Sequence, residues 1–236
     1  MHRPAREVFQ AEALGWLASR EATPVTSVVT SLPDVSEVPA LGFEAWRAWF
    51  VEAARAVLRW VPASGVSIFF QSDIRHGGVW VDKGYLVQRA AEEEGKLLLW
   101  HKIVCRKPAG TISHGRATYS HLLCFASAVS EAVKRPGPDV LPDTGHMPWS
   151  RAMGVEACRL ACTYLKHETS TRTVVDPFCG RGTVLAVANS FGFDAVGVDL
   201  SAKRCRAARR LVLSGDEATL PDPRGLEPEA RADVEA

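Results

Sequence analysis

No apolar run in this chain approaches the ~18 residues that a membrane-spanning helix needs. The amino-terminal segment MHRPAREVFQAE is charged where a secretory signal would carry an apolar core. The six cysteines form no CxxC pair, which argues against zinc ribbons and thioredoxin-like redox motifs. Cys158 and Cys162, one helical turn apart, fit small buried residues better than metal ligands. The glycines spell neither G-x-G-x-x-G nor a phosphate loop ending in lysine. These absences predict an intracellular, cytoplasmic, reduced protein without metal or membrane. Net charge is also small, at +1, but it is unevenly spread. From Ser214 to Ala236 there are seven acids and two bases, so residues 1–213 carry about +6. The acidic tail has three prolines and few large apolar groups, and is expected to be disordered.

What is present centres on Thr173–Ser201, TVVDPFCGRGTVLAVANSFGFDAVGVDLS. It predicts a strand ending at Asp176-Pro177, a turn containing Gly180 and Gly182, a helix from Val184 to Ser190, and a second strand ending at Asp199. A strand, glycine turn, helix and strand closed by a carboxylate form half of a doubly wound nucleotide-binding sheet. Such a sheet binds ligands at the carboxyl ends of its strands. Only about 35 residues follow Asp199, too few for the remaining strands of such a sheet. The missing strands are therefore expected upstream.

Upstream, strands are predicted at Glu7–Glu12, Val25–Leu32, Gly65–Phe70, Lys96–Cys105 and Tyr119–Ala128. Helices are predicted at Ala11–Arg20, Gly42–Trp60, Trp80–Glu94 and Pro148–His167. Ile74–Gly78 reads as a loop, and Lys134–Thr144 as a proline-rich structureless stretch. Five upstream strands and two downstream strands make seven. The fold class is then α/β: a seven-stranded, Rossmann-like, doubly wound sheet. It divides into 1–128, a linker at 129–147, and 148–213.

Asp176-Pro-Phe-x-Gly-x-Gly-Thr183 resembles the S-adenosylmethionine loop of class I methyltransferases. The upstream half is similar to their circularly permuted amino-methyltransferases, which act on adenine N6 or cytosine N4. In those enzymes the cofactor loop lies near the carboxyl terminus. The resemblance spans roughly residues 6–212. It implies S-adenosylmethionine as cofactor, with Asp176, Phe178, Gly180, Gly182 and Thr183 bordering it and Asp199 holding its ribose. Glu12 matches the acid that ends the first strand. Met147–Ala152 is similar to the segment that touches the methionine end, which implies Trp149 and Ser150 as further cofactor contacts. Trp100-His101-Lys102 and Ser120-His121 match weaker strand motifs.

The catalytic tetrapeptide of that family, Ser/Asn/Asp-Pro-Pro-Tyr, falls on Ser31-Leu32-Pro33-Asp34. Ser31 and Pro33 keep the pattern; Leu32 and Asp34 depart from it. The missing aromatic removes the usual stacking partner of a flipped base. Asp34 reads as an acceptor of an amino hydrogen, as a general base, or as a turn residue capping the next helix. Asp73 in the loop Gln71–Gly78 is the other catalytic candidate, or a simple partner of Arg75. Arg106, Lys107, His114 and Arg116 occupy a loop that reads as phosphate-contacting or as an ordinary hairpin turn. Ser127–Gly145 is too short for the target-recognition domain such DNA enzymes insert there. The expected function is therefore N-methylation of a nucleic-acid base, with tRNA or rRNA favoured. The alternatives are a DNA adenine or cytosine amino-methyltransferase, a small-molecule or protein N-methyltransferase, and a cofactor-binding partner subunit without catalysis.

Overall fold

The structure is a computed structural model that describes residues 3–129 and 137–213. Its frame is an eight-stranded sheet. In chain order, β1 (Arg6–Gln10), α1 (Ala13–Ala18), β2 (Thr26–Thr30), α2 (Phe43–Trp60) and β3 (Val66–Gln71) come first. A small hairpin follows, β4 (Ile74–His76) and β5 (Val79–Val81), then α3 (Lys83–Glu93), β6 (Leu97–Cys105) and β7 (Tyr119–Ala126). The chain continues through β8 (Val140–Leu141), α4 (Val155–Glu168), β9 (Thr173–Asp176), α5 (Thr183–Ser190), β10 (Asp194–Asp199) and α6 (Ala202–Arg210).

The sheet order is β1-β10-β9-β2-β3-β7-β6-β8. The first five run parallel. β7 is antiparallel to both β3 and β6, so β6 and β7 form a long hairpin within the sheet. β2 and β3 are buried at every position, as strands covered on both faces must be. Alternate side chains enter opposite cores. Val28, Phe69 and Val175 meet α1, α2 and α3; Val29, Ile68 and Val174 meet α4, α5 and α6. The amphipathic α2 supplies Trp46, Phe50, Ala53, Ala54 and Val57 to the first core, at the spacing of one helical face.

Several expectations are corrected. The sheet has eight strands rather than seven, because Val140–Leu141, expected to be structureless, pairs with Ile103–Val104 of β6. Lys102 explains that docking: its buried ammonium donates to the carbonyls of Gly137 and Pro138, at 3.2 and 3.0 Å. The helix expected from Trp80 begins at Lys83, since Val79–Val81 pairs with Ile74–His76 and Asp82 caps the helix through the Tyr85 N–H at 2.7 Å. The helix expected from Pro148 begins at Val155, which leaves Met147–Gly154 as a loop at the site. The acidic tail lies outside the described residues. All six cysteines are unpaired, and burial pushes the Cys162 thiol up to about 12. Among the described residues no helix is long and apolar enough to cross a membrane.

Candidate active site

The parallel direction of β1, β10, β9, β2 and β3 puts their carboxyl ends on one edge of the sheet. β9 and β2 are neighbours there, and the chain leaves them toward opposite sides, β9 to β10 and β2 to β3. Ligand crevices form at such a switch point. Thr30 Oγ1 donates to Asp176 Oδ1 across it at 2.7 Å. Two cavities open along this edge.

The first cavity lies over β9, β10 and β1. Its wall includes Glu12, Trp149, Asp176, Phe178, Gly180, Thr183 and Asp199. Asp176 is fully buried and accepts a second hydrogen bond from the Phe178 N–H at 3.1 Å. Burial pushes its carboxyl up to about 7; the two hydrogen bonds pull the other way, and nearby Asp199 adds to the rise. Asp199 caps the next turn, accepting from the Ser201 N–H at 2.7 Å, and lies 3.6 Å from Arg204. Glu12 accepts from the Leu14 and Gly15 N–H groups at 3.0 and 2.6 Å, so its carboxylate caps α1 as well as facing the cavity.

The two loop glycines are doing different jobs. Gly180 has φ +54°, and a Cβ there would lie 2.6 Å from the Trp149 ring. Gly182 has φ +85°, and its absent Cβ makes room for Ala208 of α6 at 2.8 Å. Gly182 packs against α6 and is not among the residues of the cavity wall.

The second cavity lies over β2, β3 and the β6–β7 loop. Its wall includes Ser31, Asp34, Ser72, Asp73, Arg75, Lys83, Arg106 and Arg116. Ser150 belongs here rather than with the cofactor-loop residues, while its neighbour Trp149 faces the first cavity. Lys107 and His114, from the same loop as Arg106 and Arg116, are exposed and line neither cavity. The Lys107 N–H bonds the Thr118 carbonyl at 3.2 Å, an ordinary hairpin contact.

Asp34 forms an ion pair with the buried ammonium of Lys83. It also starts a tight turn: its N–H donates to Glu37 Oε2 at 3.2 Å, and the Glu37 N–H returns to the Asp34 carbonyl at 2.8 Å. Asp34 is thus a capping residue and a charged wall residue together. Asp73 is not paired with Arg75. It accepts from the Lys83 N–H at 2.9 Å and the Tyr119 hydroxyl at 3.1 Å, and His121 Nε2 lies 3.1 and 3.2 Å from its two oxygens. Burial would raise the Asp73 carboxyl, but His121, Lys83 and Tyr119 outweigh it and hold the group below its usual range. A carboxylate so fully engaged pins β3, α3 and β7 together and is poorly placed to accept a further proton.

Asp73, Asp82 and His121 also bring possible ligand atoms within 4.8 Å of one another. The sequence suggested no such cluster. Its internal hydrogen bonds and the Asp82 cap already explain it.

The cavities share a wall of Ser31, Glu37, Arg151, Ala152 and Met153. Glu37 and Arg151 close that wall with an ion pair at 3.1 Å. Among the described residues the Ser31 hydroxyl makes no hydrogen bond, so it faces both cavities with its polar capacity intact. Glu37, Lys83, Arg151 and Arg204 were not singled out from sequence. Only Glu37 had a local signal, the Asp-x-x-Glu spacing of a capping box.

No family model and no curated protein sequence matches the chain. Solved structures do. TTHA0409 of Thermus thermophilus, a candidate DNA modification methylase crystallised with S-adenosyl-L-methionine, is 20% identical. The alignment covers 86% of this chain and 91% of that one, with a TM-score of 0.66. The PvuII DNA methyltransferase, cytosine-N4-specific, is 14% identical over 91% of both chains, with a TM-score of 0.67. The M1.HpyAVI complex with S-adenosylmethionine is 13% identical, covering 87% of this chain and 98% of that one, with a TM-score of 0.57. At these identities the likeness is one of fold, and the chain has the α/β fold of these methyltransferases.

Proposed function

We propose that this protein is an S-adenosylmethionine-dependent N-methyltransferase acting on a nucleic-acid base, built on a circularly permuted form of the fold. The observation that carries this reading is the pair of cavities meeting at Ser31. One is lined by the acid-and-glycine loop, the other by cationic side chains. The strand order supports the permutation, since β9 and β10 come last in the chain yet lie inside the sheet between β1 and β2.

The first cavity fits the cofactor. Asp199, at the end of β10, stands where a carboxylate accepts the two hydroxyls of a ribose. Phe178 and Trp149 offer apolar faces to an adenine or a methionine chain. Thr183 Oγ1 is buried in that wall with no partner among the described residues, and a bound polar ligand would satisfy it. When bound, S-adenosylmethionine would supply a sulfonium methyl: an in-line nitrogen attacks the methyl carbon, S-adenosylhomocysteine leaves as the thioether, and the methylated nitrogen gives up one proton.

The protein's own part is orientation. Ser31 accepts one hydrogen of the target amino group and so turns the nitrogen lone pair toward the first cavity. One Asp34 oxygen is held by Lys83, which leaves the other to accept a second hydrogen. Pro33 fixes the turn between them, and its carbonyl is itself held by the Trp46 indole N–H at 3.1 Å. Arg106 and Arg116 contact backbone phosphates.

DNA is the better-supported acceptor, because two of the similar structures are named as DNA-modifying enzymes. The preference for RNA drawn from the short Ser127–Gly145 interval finds no support among them. The test is transfer of [³H]methyl to unmodified DNA, RNA and protein side by side. Nuclease-sensitive label is expected. Label that only protease removes would replace this reading with a protein methyltransferase.

A further inference from the structure

The family tetrapeptide places an aromatic ring beside the target, and this chain has Asp34 there instead. The structure supplies rings on an adjacent surface, a separate cavity lined by Phe43, His76, Trp80 and Tyr85 that meets the polar cavity at Arg75. In the β4–β5 hairpin, Arg75 and Trp80 are cross-strand partners and so share one face. The Arg75 guanidinium lies 5.6 Å from the centre of the Trp80 ring and is tied across the hairpin by a 2.9 Å bond to the Gly78 carbonyl. Trp80 is half exposed, and its neighbours Val79 and Tyr85 are more exposed still. The hairpin is anchored: Ile74 and Val81 pack on the core beside α2, and His76 stacks on Phe43 with ring centres 3.8 Å apart.

An ordered hairpin that leaves a tryptophan in water has an apolar surface without an internal use. Its charge points to the occupant. Arg75 lines the polar cavity together with Arg106 and Arg116. Among the described residues none of these three has a carboxylate partner, although Arg106 donates to Ser72 Oγ at 2.9 Å. Of the carboxylates near the hairpin, Asp82 is engaged as the cap of α3, Asp73 is held by Lys83, Tyr119 and His121, and Glu44 lies in the adjacent cavity wall. A flat ring with one guanidinium over it, which has no carboxylate partner among the described residues, suits a polyanion with stackable planes.

We propose that Trp80 and Arg75 form a stacking platform for an unpaired base of a single-stranded polynucleotide whose target base enters the polar cavity. The base lies on the exposed indole, Arg75 bridges ring and phosphate, and Arg106 and Arg116 take the phosphates beside the target. This rests on the nucleic-acid reading above, and it makes the substrate an unpaired segment rather than an intact duplex.

The experiment is fluorescence anisotropy with end-labelled 12-nucleotide single strands, as DNA and as RNA, and with the matching DNA duplex. Wild type, Trp80→Ala, Trp80→Phe and Arg75→Ala are compared. Single strands are expected to bind more tightly than duplex. Trp80→Ala should weaken single-strand binding about tenfold, and Trp80→Phe should recover part of it. Arg75→Ala should weaken binding and flatten its salt dependence. Cofactor affinity, read by calorimetry, should be unchanged in all variants, which shows that each is folded. The DNA and RNA arms identify which polymer is bound. Trp80→Ala binding both strands like wild type would overturn the platform even if methyl transfer to nucleic acid is observed. So would a Trp80 effect confined to self-association in sedimentation, which would assign the surface to a second copy of the chain. Absence of transfer with Trp80-dependent binding intact would instead count against the methyltransferase reading alone.

Discussion

At the scale of single residues, the cofactor reading turns on Asp199. Its carboxylate holds the Ser201 N–H with one oxygen, has the other 3.6 Å from Arg204, and lines the cavity. Asp199→Ala should weaken S-adenosylmethionine binding at least about tenfold, the worth of hydrogen bonds to a charged group. Calorimetry reads this directly, and wild-type affinity would remove the ribose assignment. Gly182 makes a separate prediction because it packs rather than binds. Gly182→Ala puts a Cβ against Ala208 at a positive φ, which should cost at least about 2 kcal/mol in urea unfolding. Asp176 gives a pH dependence. Its folded value, about 7, lies above the unfolded one, so the fold favours the neutral acid. Its ionisation costs nothing below about pH 4, costs progressively more as pH rises toward 7, and is constant above that. Asp176→Asn should therefore gain stability relative to wild type as pH rises from 5 to 8, by about 3 kcal/mol at most. A gain that does not vary with pH would contradict the buried-acid assignment.

At the scale of elements, the Asp34–Lys83 pair joins the turn after β2 to the first turn of α3. Asp34→Ala leaves a buried ammonium without its partner, which should cost about 1–3 kcal/mol given that Asp34 itself is partly exposed. Adding Lys83→Met should restore stability, read as the thermal midpoint, while methyl transfer stays low. Recovery of transfer in the double variant would reduce Asp34 to a structural cap. This pair was illegible in sequence because its members are 49 residues apart and meet only through the β3–α3 path. The same holds for the Asp73–His121 contact. The local spacing of Asp73 and Arg75 suggests a pair, but the antiparallel register of β7 on β3 brings His121 there first. Elements whose signals are local were readable. The β-branched run of β2 and the apolar face of α2 each stand within two residues of where the sequence puts them. The hairpin at Ile74–Val81 and the strand Val140–Leu141 were not, since three- and two-residue strands carry no usable period.

At the scale of the whole molecule, the upstream position of five strands was legible from a mismatch of length. The glycine loop comes so late that most of the sheet must precede it, and the observed order places β9 and β10 among earlier strands. The wall of the first cavity was also legible, because Asp176, Phe178, Gly180 and Asp199 sit in one continuous stretch. The wall of the second cavity was only partly so, because it is drawn from three separate loops and the segment Met147–Met153. The charge balance of that wall emerges only on folding, when Asp34, Glu37 and Asp73 find charged or hydrogen-bonding partners while Arg75, Arg106 and Arg116 find no carboxylate among the described residues.

The most direct measurement uses S-adenosylmethionine carrying a CD₃ methyl, offered with unmodified DNA and RNA, followed by digestion to nucleosides and mass spectrometry. A nucleoside heavier by one CD₃ group, with the label on a base nitrogen, is the predicted result. It should be lost in Asp199→Ala and reduced in Asp34→Ala. Absence of CD₃ from every nucleoside, with the cofactor bound and the protein folded, would contradict the assignment of the second cavity to a nucleic-acid base.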